Sequence, residues 1–436
     1  MRVGVVGAGH VGLPTAATLA HIGNEVTSTD ADQEKIELLG RGGMPFFEPG
    51  LEGLVRGEVD AGRLRFTPEP ADALRHARVA FLCVGTPPRS SGEANLIAVE
   101  RSAELVARHA AGPTVVVEKS TVPAGTAARV SEILGRQRSD GALTVACNPE
   151  FLREGSAVED SLRPTRILVG SDSEEALAVL RDLYAPLVRE DTRWIETDLH
   201  TAELAKHASN AFLALKVSFA NAMARIAEAA GADVEAVTEV MGADPRIGQA
   251  HLSAGLGYGG SCFPKDLLAF DRLAARLGYD FPLLREVARL NEEALEAAFR
   301  KVEAALWNLE GKRVALLGLA FKPGTDDVRY SPALGLAERL MHAGAVVVGY
   351  DPQAGPNAKA ELSGLEVLDE PYEALAGADA TVVCTEWEQV AALDLRRVRE
   401  VMARPVVVDG RNVFDPQEMA RHGFTYLPTG RPPVRP

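Results

Sequence analysis

The chain has 436 residues, of which 46% are hydrophobic and 25% are charged. This length exceeds what one hydrophobic core normally supports, so two or three soluble globular domains are expected. The formal net charge of −15 argues against a surface for nucleic acid or for an anionic membrane. A local basic cleft for a small anionic ligand is still compatible with this charge.

The apolar segments and the cysteines predict a cytoplasmic protein. The first residues resemble a strand followed by glycines rather than a signal peptide, and no run of about 18 apolar residues predicts a membrane span. The four cysteines, at positions 83, 147, 262 and 384, show neither a disulfide framework nor metal-ligand spacing. We therefore expect reduced thiols, no bound metal, and neither a nucleic-acid nor a membrane partner.

Strand and helix patterns alternate over the first part of the chain. "RVGVV" predicts a buried strand, "GLPTAATLAHIG" predicts a helix closed by Gly23, and "EVTSTD" predicts a second strand. Further apolar strands are predicted at "ARVAFLCVGTP", "TVVVEKSTVP", "LTVACNPE" and "TRILVG". Strands separated by helices indicate an α/β domain with a doubly wound parallel sheet over residues 1–197.

The middle of the chain has a helical pattern rich in Ala, Glu and Leu over residues 198–308. Its longest segment, "TAELAKHASNAFLALKVSFANAMARIAEAA", predicts a spine helix of about 30 residues. Strands return in residues 309–436, where "RVALLGLA", "VVVGYD" and "ADATVVCTEW" resemble "RVGVVGAG", "EVTSTD" and "ARVAFLCVGTP" in the same order. The pattern predicts two Rossmann-like domains joined by a central helical domain, unless the similarity reflects only the common composition of buried parallel strands.

The segment "GAGHVG" has the glycine spacing of a dinucleotide-binding turn. Gly7 permits the tight turn, Gly9 lets the backbone approach a pyrophosphate, and Gly12 allows close packing of helix on strand. Asp30 ends the next strand, 23 residues after Gly7, where a carboxylate accepts a hydrogen bond from a ribose 2′-hydroxyl. Because the same carboxylate repels a 2′-phosphate, NAD is favoured over NADP. The alternative is a glycine turn that binds no ligand.

The loops that follow the later strands carry further polar candidates. Thr86, Thr121, Glu150 and Glu154 lie in loops that line the ligand crevice of a doubly wound sheet, although any one of them could be an ordinary capping or solvated residue. On the predicted spine helix, Lys206 and Asn210 are four residues apart and share a face. The alternative for this pair is a solvent-exposed surface.

"GYGGSCFPKD" places Cys262 in a glycine-rich loop, unlike the other three cysteines, which lie in buried-strand contexts. The glycines expose the loop, and Lys265 provides a nearby cation that would favour the thiolate, the nucleophilic form. The residues alone leave open whether Cys262 is a reactive thiol or a turn residue.

Several segments occur together in a characteristic order: "GAGHVGLP", "CVGTP", "EKSTVPAGT", "NPEFLREG", "AELAKHASNAF", "GYGGSCFPKD", "LGLAFKPGTDD" and "DGRN". They resemble the UDP-glucose/GDP-mannose dehydrogenase family over almost the whole chain, and "GGSCFPKD" is the most specific of them. The resemblance implies oxidation of the C6 alcohol of a nucleotide sugar to a carboxylate, with two NAD⁺ reduced in succession. UDP-glucose is the expected substrate, and UDP-glucuronate is the expected product.

The resemblance implies that Cys262 is the nucleophile. An aldehyde cannot donate a second hydride until a nucleophile adds to its carbonyl, and a thiolate can form a thiohemiacetal and then a thioester, which water hydrolyses. The covalent link also retains the reactive aldehyde between the two oxidations.

Five other residues acquire catalytic roles from the resemblance. Lys206 would stabilise the developing alkoxide or assist proton transfer, and Asn210 would donate a hydrogen bond to the same oxygen. Asp266 would act with Lys206 and a water in acid–base chemistry. Thr121 and Glu150 would position or activate the hydrolytic water. The base of the first oxidation is left unassigned.

The resemblance also implies the ligand contacts. For NAD the matching positions are Gly7, Gly9, Val11, Gly12, Asp30, Lys35, Thr86, Thr121, Glu154 and Arg329. For the sugar nucleotide they are Phe151, Leu152, Glu154, Lys206, Asn210, Arg246, Tyr258, Gly259, Lys322 and Arg411. Arg246 resembles an arginine that reaches the substrate of a neighbouring subunit, which implies a homodimer through the helical centre. Ser253 departs from the Asn or Lys usual in UDP-glucose enzymes.

There are three alternatives to UDP-glucose oxidation: the first changes the sugar and keeps the chemistry, and the other two change the chemistry. The same reaction could act on GDP-mannose or on a UDP-N-acetylhexosamine. A two-electron 3-hydroxyacid dehydrogenase would need no thiol, and a nucleotide sensor would not turn over. The set of Cys262, Lys206 and Asp266 disfavours the last two alternatives, and the number of NADH formed per substrate separates the classes.

Overall fold

The computed structural model describes residues 1–435. The chain divides into two compact units. The first unit contains Met1–Ser209 and Leu268–Tyr279, and the second contains Asn210–Leu267 and the chain from Asp280 onward. Among residues 1–435, no helix is both long enough and apolar enough to cross a membrane.

An eight-stranded sheet forms the centre of the first unit. Its strands are β1 (Arg2–Val6), β2 (Glu25–Thr29), β3 (Leu64–Phe66), β4 (Val79–Leu82), β5 (Thr114–Glu118), β6 (Leu143–Cys147), β7 (Arg166–Gly170) and β8 (Arg193–Thr197). The spatial order is β3-β2-β1-β4-β5-β6-β7-β8. Pairing is parallel from β3 to β6, with Val5 opposite both Ser28 and Phe81, so the predicted α/β sheet is confirmed.

The chain reverses direction between β6 and β7, which the sequence did not predict. β7 pairs with β6 through one antiparallel bridge, between Cys147 and Gly170, and then pairs with β8 in parallel. A parallel crossover normally needs a connection with a helix that returns along the sheet. Residues 148–165 contain only a six-residue helix, so this connection does not carry the chain back.

Helices cover both faces of this sheet. They are α1 (Gly12–His21), α2 (Gln33–Gly40), α3 (Leu51–Asp60), α4 (Pro70–Leu74), α5 (Ile97–His109), α6 (Thr126–Gln137), α7 (Ala157–Leu162) and α8 (Glu174–Tyr184), followed by a 3₁₀ turn at Ala185–Leu187. Successive side chains of a strand point to opposite faces. In β5, Val115 and Val117 therefore pack in one apolar cluster and Val116 packs in another. The sheet is doubly wound, as predicted.

Long helices follow the first sheet. They are α9 (Leu199–Ala230), α10 (Val234–Gly242), α11 (Phe263–Arg276) and α12 (Pro282–Leu306). α9 has 32 residues and confirms the long helix predicted from its Ala-rich sequence. The division between the two units falls within α9 and again within α11.

The second unit contains a six-stranded parallel sheet. Its strands are β9 (Arg313–Leu317), β10 (Val346–Tyr350), β11 (Glu366–Leu368), β12 (Ala380–Val383), β13 (Val406–Asp409) and β14 (Thr425–Pro428). The helices between and after these strands are α13 (Pro332–His342), α14 (Gly355–Glu361), α15 (Pro371–Leu375), α16 (Glu388–Ala391), α17 (Leu395–Val401) and α18 (Pro416–Arg421). The order is β11-β10-β9-β12-β13-β14. It repeats the order of β3, β2, β1, β4, β5 and β6, so the predicted pair of Rossmann-like sheets is confirmed.

Candidate active site

The glycine turn between β1 and α1 is tight at two positions and open at one. A Cβ on Gly7, which has a φ of +103°, would lie 2.3 Å from the Cys83 carbonyl oxygen, and a Cβ on Gly12 would lie 1.9 Å from the Gly7 oxygen. A Cβ on Gly9 would meet no atom within 4 Å. Only the second glycine therefore has an open approach to its backbone, as binding of a dinucleotide pyrophosphate at this turn requires. Val11 occupies the N-cap of α1 and provides no side-chain cap.

Asp30 is held against the glycine turn at the end of β2. Its Oδ2 accepts a hydrogen bond from the Ala8 amide at 2.7 Å, and the Lys35 ammonium lies 3.3 Å from the same oxygen. Its Oδ1 accepts from the Asp32 amide at 3.0 Å. Because a carboxylate has about four acceptor sites, Asp30 retains capacity for a ribose hydroxyl. The turn and Asp30 together fit the adenosine half of NAD.

Two of the predicted loop residues contact each other. The hydroxyl of Thr86, after β4, donates to the Thr121 carbonyl oxygen, after β5, at 2.9 Å. Parallel neighbouring strands end at the same edge of a sheet, which places the two loops side by side. Thr86 thus fixes the backbone of the Thr121 loop through its buried side chain.

The loop after β6 brings Glu150 to α9. The Lys206 ammonium lies 3.1 Å from Glu150 Oε1, and both side chains are buried. The Phe151 ring lies near two cations, with the Lys206 ammonium 5.2 Å and the Arg166 guanidinium 3.8 Å from the ring centroid. Burial lowers the pKa of Arg166. The Leu152 amide donates to Glu150 Oε2 at 2.5 Å, so the carboxylate orders its own loop.

Glu154 lies further along the same loop and is partly buried. Like Thr86, Thr121 and Glu150, it belongs to the first unit.

Cys262 lies immediately before α11 in the second unit. Its carbonyl oxygen accepts a hydrogen bond from the Asp266 amide at 2.9 Å, and this bond closes the first turn of the helix. A helix N-terminus favours the thiolate, a signal that the sequence analysis did not use. The side chain of Cys262 is half-buried, whereas Cys83, Cys147 and Cys384 are buried, as predicted. Burial raises the pKa of Cys83 and of Cys384 to about 12.

The glycines before Cys262 are required by close packing. Gly260, with a φ of +77°, donates its amide to the Arg329 carbonyl oxygen at 2.9 Å. A Cβ on Gly259 would lie 2.4 Å from the Tyr330 carbonyl oxygen. The Cys262 loop is therefore held against the loop after β9, which a side chain at either glycine would displace.

Asn210 and Asp266 form a buried pair in the second unit. The Asn210 amide nitrogen donates to Asp266 Oδ2 at 2.6 Å, and the Lys265 ammonium donates to Oδ1 at 2.5 Å. The cation that the sequence placed near Cys262 thus contacts the predicted acid–base carboxylate. Lys265 was predicted only as a charge near Cys262, and its bond to Asp266 makes it part of this cluster.

Tyr258 is positioned by a residue that the sequence analysis missed. The amide oxygen of Asn291, on α12, accepts from the Tyr258 backbone amide at 2.7 Å, and its amide nitrogen donates to the Tyr258 carbonyl at 3.1 Å. Burial raises the pKa of Tyr258. Sequence offered no signal for Asn291 because it lies 33 residues from Tyr258.

The remaining predicted cations of the second unit occupy different environments. Lys322 is half-buried after β9, and Arg411 follows β13 with its Nε 2.9 Å from the Cys384 carbonyl oxygen. Arg329 pairs with Asp327 at 2.6 Å. Arg246 pairs with Asp244 at 2.6 Å on a loop after α10, and its side chain is 88% exposed. It contacts none of the other predicted site residues within this unit.

The site chemistry rests on thiol, ammonium, amide and carboxylate groups. Among the residues described, no group of three or more His, Cys, Asp and Glu side chains is arranged to hold a metal ion.

Three domain models of one protein family match the chain in succession. The NAD binding domain of the UDP-glucose/GDP-mannose dehydrogenase family matches residues 1–188, its central domain matches residues 200–293, and its UDP binding domain matches residues 315–416. The chain belongs to the UDP-glucose/GDP-mannose dehydrogenase family. NAD is accordingly its cofactor, which agrees with the fit of the Gly9 turn and Asp30.

Individual members of this family are similar to the chain over its full length. A UDP-glucose 6-dehydrogenase of Pseudomonas aeruginosa is 46% identical, with 99% of this chain and 98% of that protein covered. The structure of a UDP-glucose dehydrogenase from Pyrobaculum islandicum has a TM-score of 0.91 and 39% identity, covering 98% of this chain and 96% of that one. A UDP-D-ManNAc dehydrogenase structure from Pyrococcus horikoshii has a TM-score of 0.87 and 30% identity, with 99% of each chain covered.

Proposed function

We propose that this family member is a UDP-glucose 6-dehydrogenase, which oxidises the C6 alcohol of UDP-glucose to the carboxylate of UDP-glucuronate. The half-buried position of Cys262 at the start of α11 carries this proposal, because an alcohol dehydrogenase that stops at the aldehyde needs no thiol. The three predicted segments, 1–197, 198–308 and 309–436, would bind NAD, form the dimer and bind the UDP-sugar.

Cys262 would act as the nucleophile. NAD⁺, when bound, accepts one hydride in each of the two oxidations. The Cys262 thiolate adds to the aldehyde carbon to form a thiohemiacetal, whose oxidation gives a thioester and whose hydrolysis releases the acid and restores the thiol. The adjacent helix N-terminus, at Phe263, supports the anionic form of Cys262.

Buried donors would stabilise the charges that develop on oxygen. Lys206 carries a positive charge on a buried face of α9, and Asn210 lies one turn later on the same helix. Lys206 would stabilise the alkoxide, and Asn210 would donate to the same oxygen. Asp266, which already accepts from Asn210, would exchange protons with water. Glu150 would orient Lys206 and, with Thr121, position the hydrolytic water.

The ligand contacts are proposed from the same correspondence. Gly7, Gly9, Val11, Gly12, Asp30, Lys35, Thr86, Thr121, Glu154 and Arg329 would contact NAD. Phe151, Leu152, Glu154, Lys206, Asn210, Arg246, Tyr258, Gly259, Lys322 and Arg411 would contact the sugar nucleotide. Lys322 and Arg411 both lie just after strands of the second sheet, where parallel sheets bind their ligands, and guanidinium and ammonium groups suit a diphosphate.

UDP-glucose is favoured over the alternative sugars by the similarity of the relatives. The two relatives named for UDP-glucose are 46% and 39% identical, whereas the relative named for UDP-D-ManNAc is 30% identical. Ser253 disfavours UDP-glucose, because serine is smaller than the Asn or Lys usual at this position in UDP-glucose enzymes and would lose a contact with the sugar or the diphosphate.

A homodimer in the cytoplasm is the proposed assembly. Phe212, Phe219 and Ile226 recur every seven residues on α9 and are 62%, 43% and 58% exposed, so they form an apolar stripe along one helix face. A second copy of the chain would bury this stripe, and the exposed Arg246 would reach the partner's substrate. Sedimentation of a Phe212→Glu, Phe219→Glu protein as a monomer would support the dimer. An unchanged sedimentation coefficient would contradict it.

Counting NADH tests the proposed reaction. Purified protein is supplied with limiting UDP-glucose, UDP-N-acetylglucosamine, UDP-N-acetylmannosamine or GDP-mannose and excess NAD⁺. We expect two NADH per UDP-glucose and little turnover of the others. One NADH per substrate would indicate a two-electron dehydrogenase, and none would indicate a sensor.

A further inference from the structure

A buried carboxylate, Glu203, joins α9 to the start of α6 in the first unit. Its Oε2 accepts a hydrogen bond from the Gly125 amide at 2.7 Å, and its Oε1 accepts from the Ala127 amide at 2.6 Å. Glu203 is 2% exposed. Both carboxylate oxygens therefore accept hydrogen bonds from backbone amides at the N-terminus of α6.

This contact replaces the cap that α6 lacks locally. The N-cap residue of α6 is Gly125, which has a φ of +98° and no side chain with which to bind the first amides of the helix. Buried amide donors without acceptors cost free energy, and an anion at a helix N-terminus is favoured by the helix dipole. Glu203 supplies the acceptor from a different helix, so the start of α6 is tied to α9.

The segment tied in this way carries Thr121. Residues 119–125 connect β5 to α6, and hydrogen bonds hold this connection to several neighbouring segments. Ser120 donates to the Val84 carbonyl oxygen at 2.8 Å, Thr86 donates to the Thr121 oxygen at 2.9 Å, and Glu203 binds the amides at its far end. The first two contacts hold the loop to the segment after β4, and the Glu203 hydrogen bonds connect it to α9.

Glu203 also lies next to the proposed catalytic lysine. Positions three residues apart on an α-helix lie on neighbouring parts of one face, so Glu203 and Lys206 project from adjacent turns of α9. Lys206 in turn binds Glu150 at 3.1 Å. One face of α9 therefore contacts the loop after β5 through Glu203 and the loop after β6 through Lys206.

Burial of a carboxylate is costly unless its hydrogen bonds are satisfied. Burial raises the pKa of Glu203, and the bonds from Ala127 and Gly125 oppose this effect. A glutamine would avoid the cost of a buried charge but would place an NH₂ donor where one carboxylate oxygen now accepts, and an apolar residue would provide no acceptor. The carboxylate is thus suited to holding two backbone donors in fixed positions.

We propose that Glu203 is a positioning residue for the oxidation: it fixes the Thr121 loop relative to Lys206 by binding the Gly125 and Ala127 amides. This inference rests on the proposed function. Glu203 acts through Thr121 and Lys206 and has no role in contacting either ligand.

The test compares Glu203→Gln with a matched control, Glu58→Gln. Glu58 is 4% exposed, lies on α3 of the same unit, and accepts from Arg63 at 2.7 Å and from His21 at 3.0 Å. Both substitutions remove a buried charge that accepts two hydrogen bonds. Glu203→Gln places an NH₂ donor opposite one of the backbone amides of Gly125 and Ala127, whereas Glu58→Gln affects only side-chain partners.

Two measurements separate positioning from stability. In steady-state kinetics with UDP-glucose, we expect kcat of Glu203→Gln to fall by about tenfold to a hundredfold, because small misplacements of catalytic groups have effects of this size. The KM for NAD⁺ should change less than kcat does, because the Gly9 turn and Asp30 are untouched and Thr121 is the one proposed NAD contact on the affected loop. In hydrogen exchange, peptides covering residues 121–127 should take up deuterium faster, and peptides of α1 should not. Glu58→Gln should change neither kcat nor this exchange.

Each outcome decides the proposal. Folded Glu203→Gln protein with unchanged kcat and unchanged exchange at residues 121–127 would overturn it, and so would an equal loss of kcat in Glu58→Gln. Glu203→Asp, which keeps the charge but is one methylene shorter, should give an intermediate loss. If neither Glu203 variant folds, the residue serves stability and the positioning role is rejected. If the unaltered protein does not oxidise UDP-glucose, the proposed function fails, and the exchange measurement still tests whether Glu203 holds the loop.

Discussion

The Lys206 ammonium lies 3.1 Å from the Glu150 carboxylate, with both side chains almost fully buried. Removal of one member of such a pair leaves an uncompensated buried charge, at a cost of about 3–5 kcal/mol. We expect Glu150→Gln and Lys206→Met each to lower the free energy of unfolding by this order. The double variant should lose less than the sum. Additive losses in urea unfolding would show that the two groups do not stabilise each other.

The same pair has a separate catalytic consequence. Lys206→Met should lower kcat by roughly 10²–10³-fold, the size typical for loss of a group that stabilises a developing oxyanion. Lys216→Met, one lysine further along α9, serves as the control, and steady-state rates with UDP-glucose provide the measurement. Near-normal kcat in folded Lys206→Met would remove Lys206 from the mechanism.

Cys262→Ser should bind both ligands and yet lose multiple turnover. A serine hydroxyl is protonated near neutral pH and forms an ester that hydrolyses more slowly than a thioester. Mass spectrometry should detect a uronyl adduct on the peptide that contains residue 262. The matched variant Cys384→Ser should turn over normally, because burial raises the pKa of that thiol to about 12 and no catalytic role is assigned to it. Formation of the acid at a near-normal rate by Cys262→Ser would exclude covalent catalysis at this residue.

Asp30 should determine the preference for NAD⁺ over NADP⁺. Asp30→Asn keeps an oxygen that can accept from the Ala8 amide but removes the charge that repels a 2′-phosphate. We expect the kcat/KM with NAD⁺, divided by the kcat/KM with NADP⁺, to fall by about tenfold or more. This size is in line with about 1.5–3 kcal/mol for a charged hydrogen bond. Asp32→Asn, which alters a neighbouring exposed carboxylate, is the control. Equal use of both cofactors by the unaltered protein would refute the role of Asp30.

Lys322 and Arg411 should affect the sugar nucleotide and not the dinucleotide. In calorimetry with UDP as the probe, Lys322→Ala and Arg411→Ala should each weaken binding by about 1.5–3 kcal/mol, the size of a charge-assisted contact. NAD⁺ affinity should be unchanged, and the exposed Arg421→Ala should alter neither ligand. Weaker NAD⁺ binding by Lys322→Ala would contradict the assignment of Lys322 to the sugar nucleotide.

Lys119 should make stability depend on pH. This ammonium is buried beside a cavity of about 100 Å³, donates to Asn148 Oδ1 at 2.9 Å, and has its pKa lowered by burial from 10.5 to about 8. Between these two pH values the unfolded chain binds more protons than the folded chain, so this group makes stability rise with pH. Below pH 8 the buried charge costs about 3 kcal/mol.

Lys119→Met should therefore be more stable than the unaltered protein at neutral pH. Its advantage should shrink as the pH approaches 10.5, the ordinary pKa of lysine. The Tyr184 hydroxyl still donates to Asn148 Oδ1 at 2.6 Å in this variant, so the oxygen keeps a partner. Thermal unfolding from pH 6 to pH 10 measures the difference, with the exposed Lys359→Met as the control. An advantage that does not vary with pH would refute the titration of Lys119.

Local sequence patterns were sufficient to predict the secondary-structure elements and the protein family. Buried parallel strands are continuous apolar runs, so β1, β5 and β9 could be located from the residues alone. The dinucleotide turn could be located because Gly7, Gly9 and Gly12 are needed where the backbone bends tightly or approaches a ligand. The thiol at Cys262 stood out because its surroundings were glycines rather than an apolar strand.

Contacts between residues far apart in sequence were decided only by the tertiary structure. Glu203 binds amides 76 and 78 positions away, and Asn210 binds Asp266 over 56 positions. The single antiparallel bridge at Cys147 likewise depends on where the chain returns to the sheet. Periodicity reports which face of an element is buried, and it contains no information on which buried polar groups meet. Burial selects those partners, because a buried charge or amide must find a hydrogen bond wherever the fold places one.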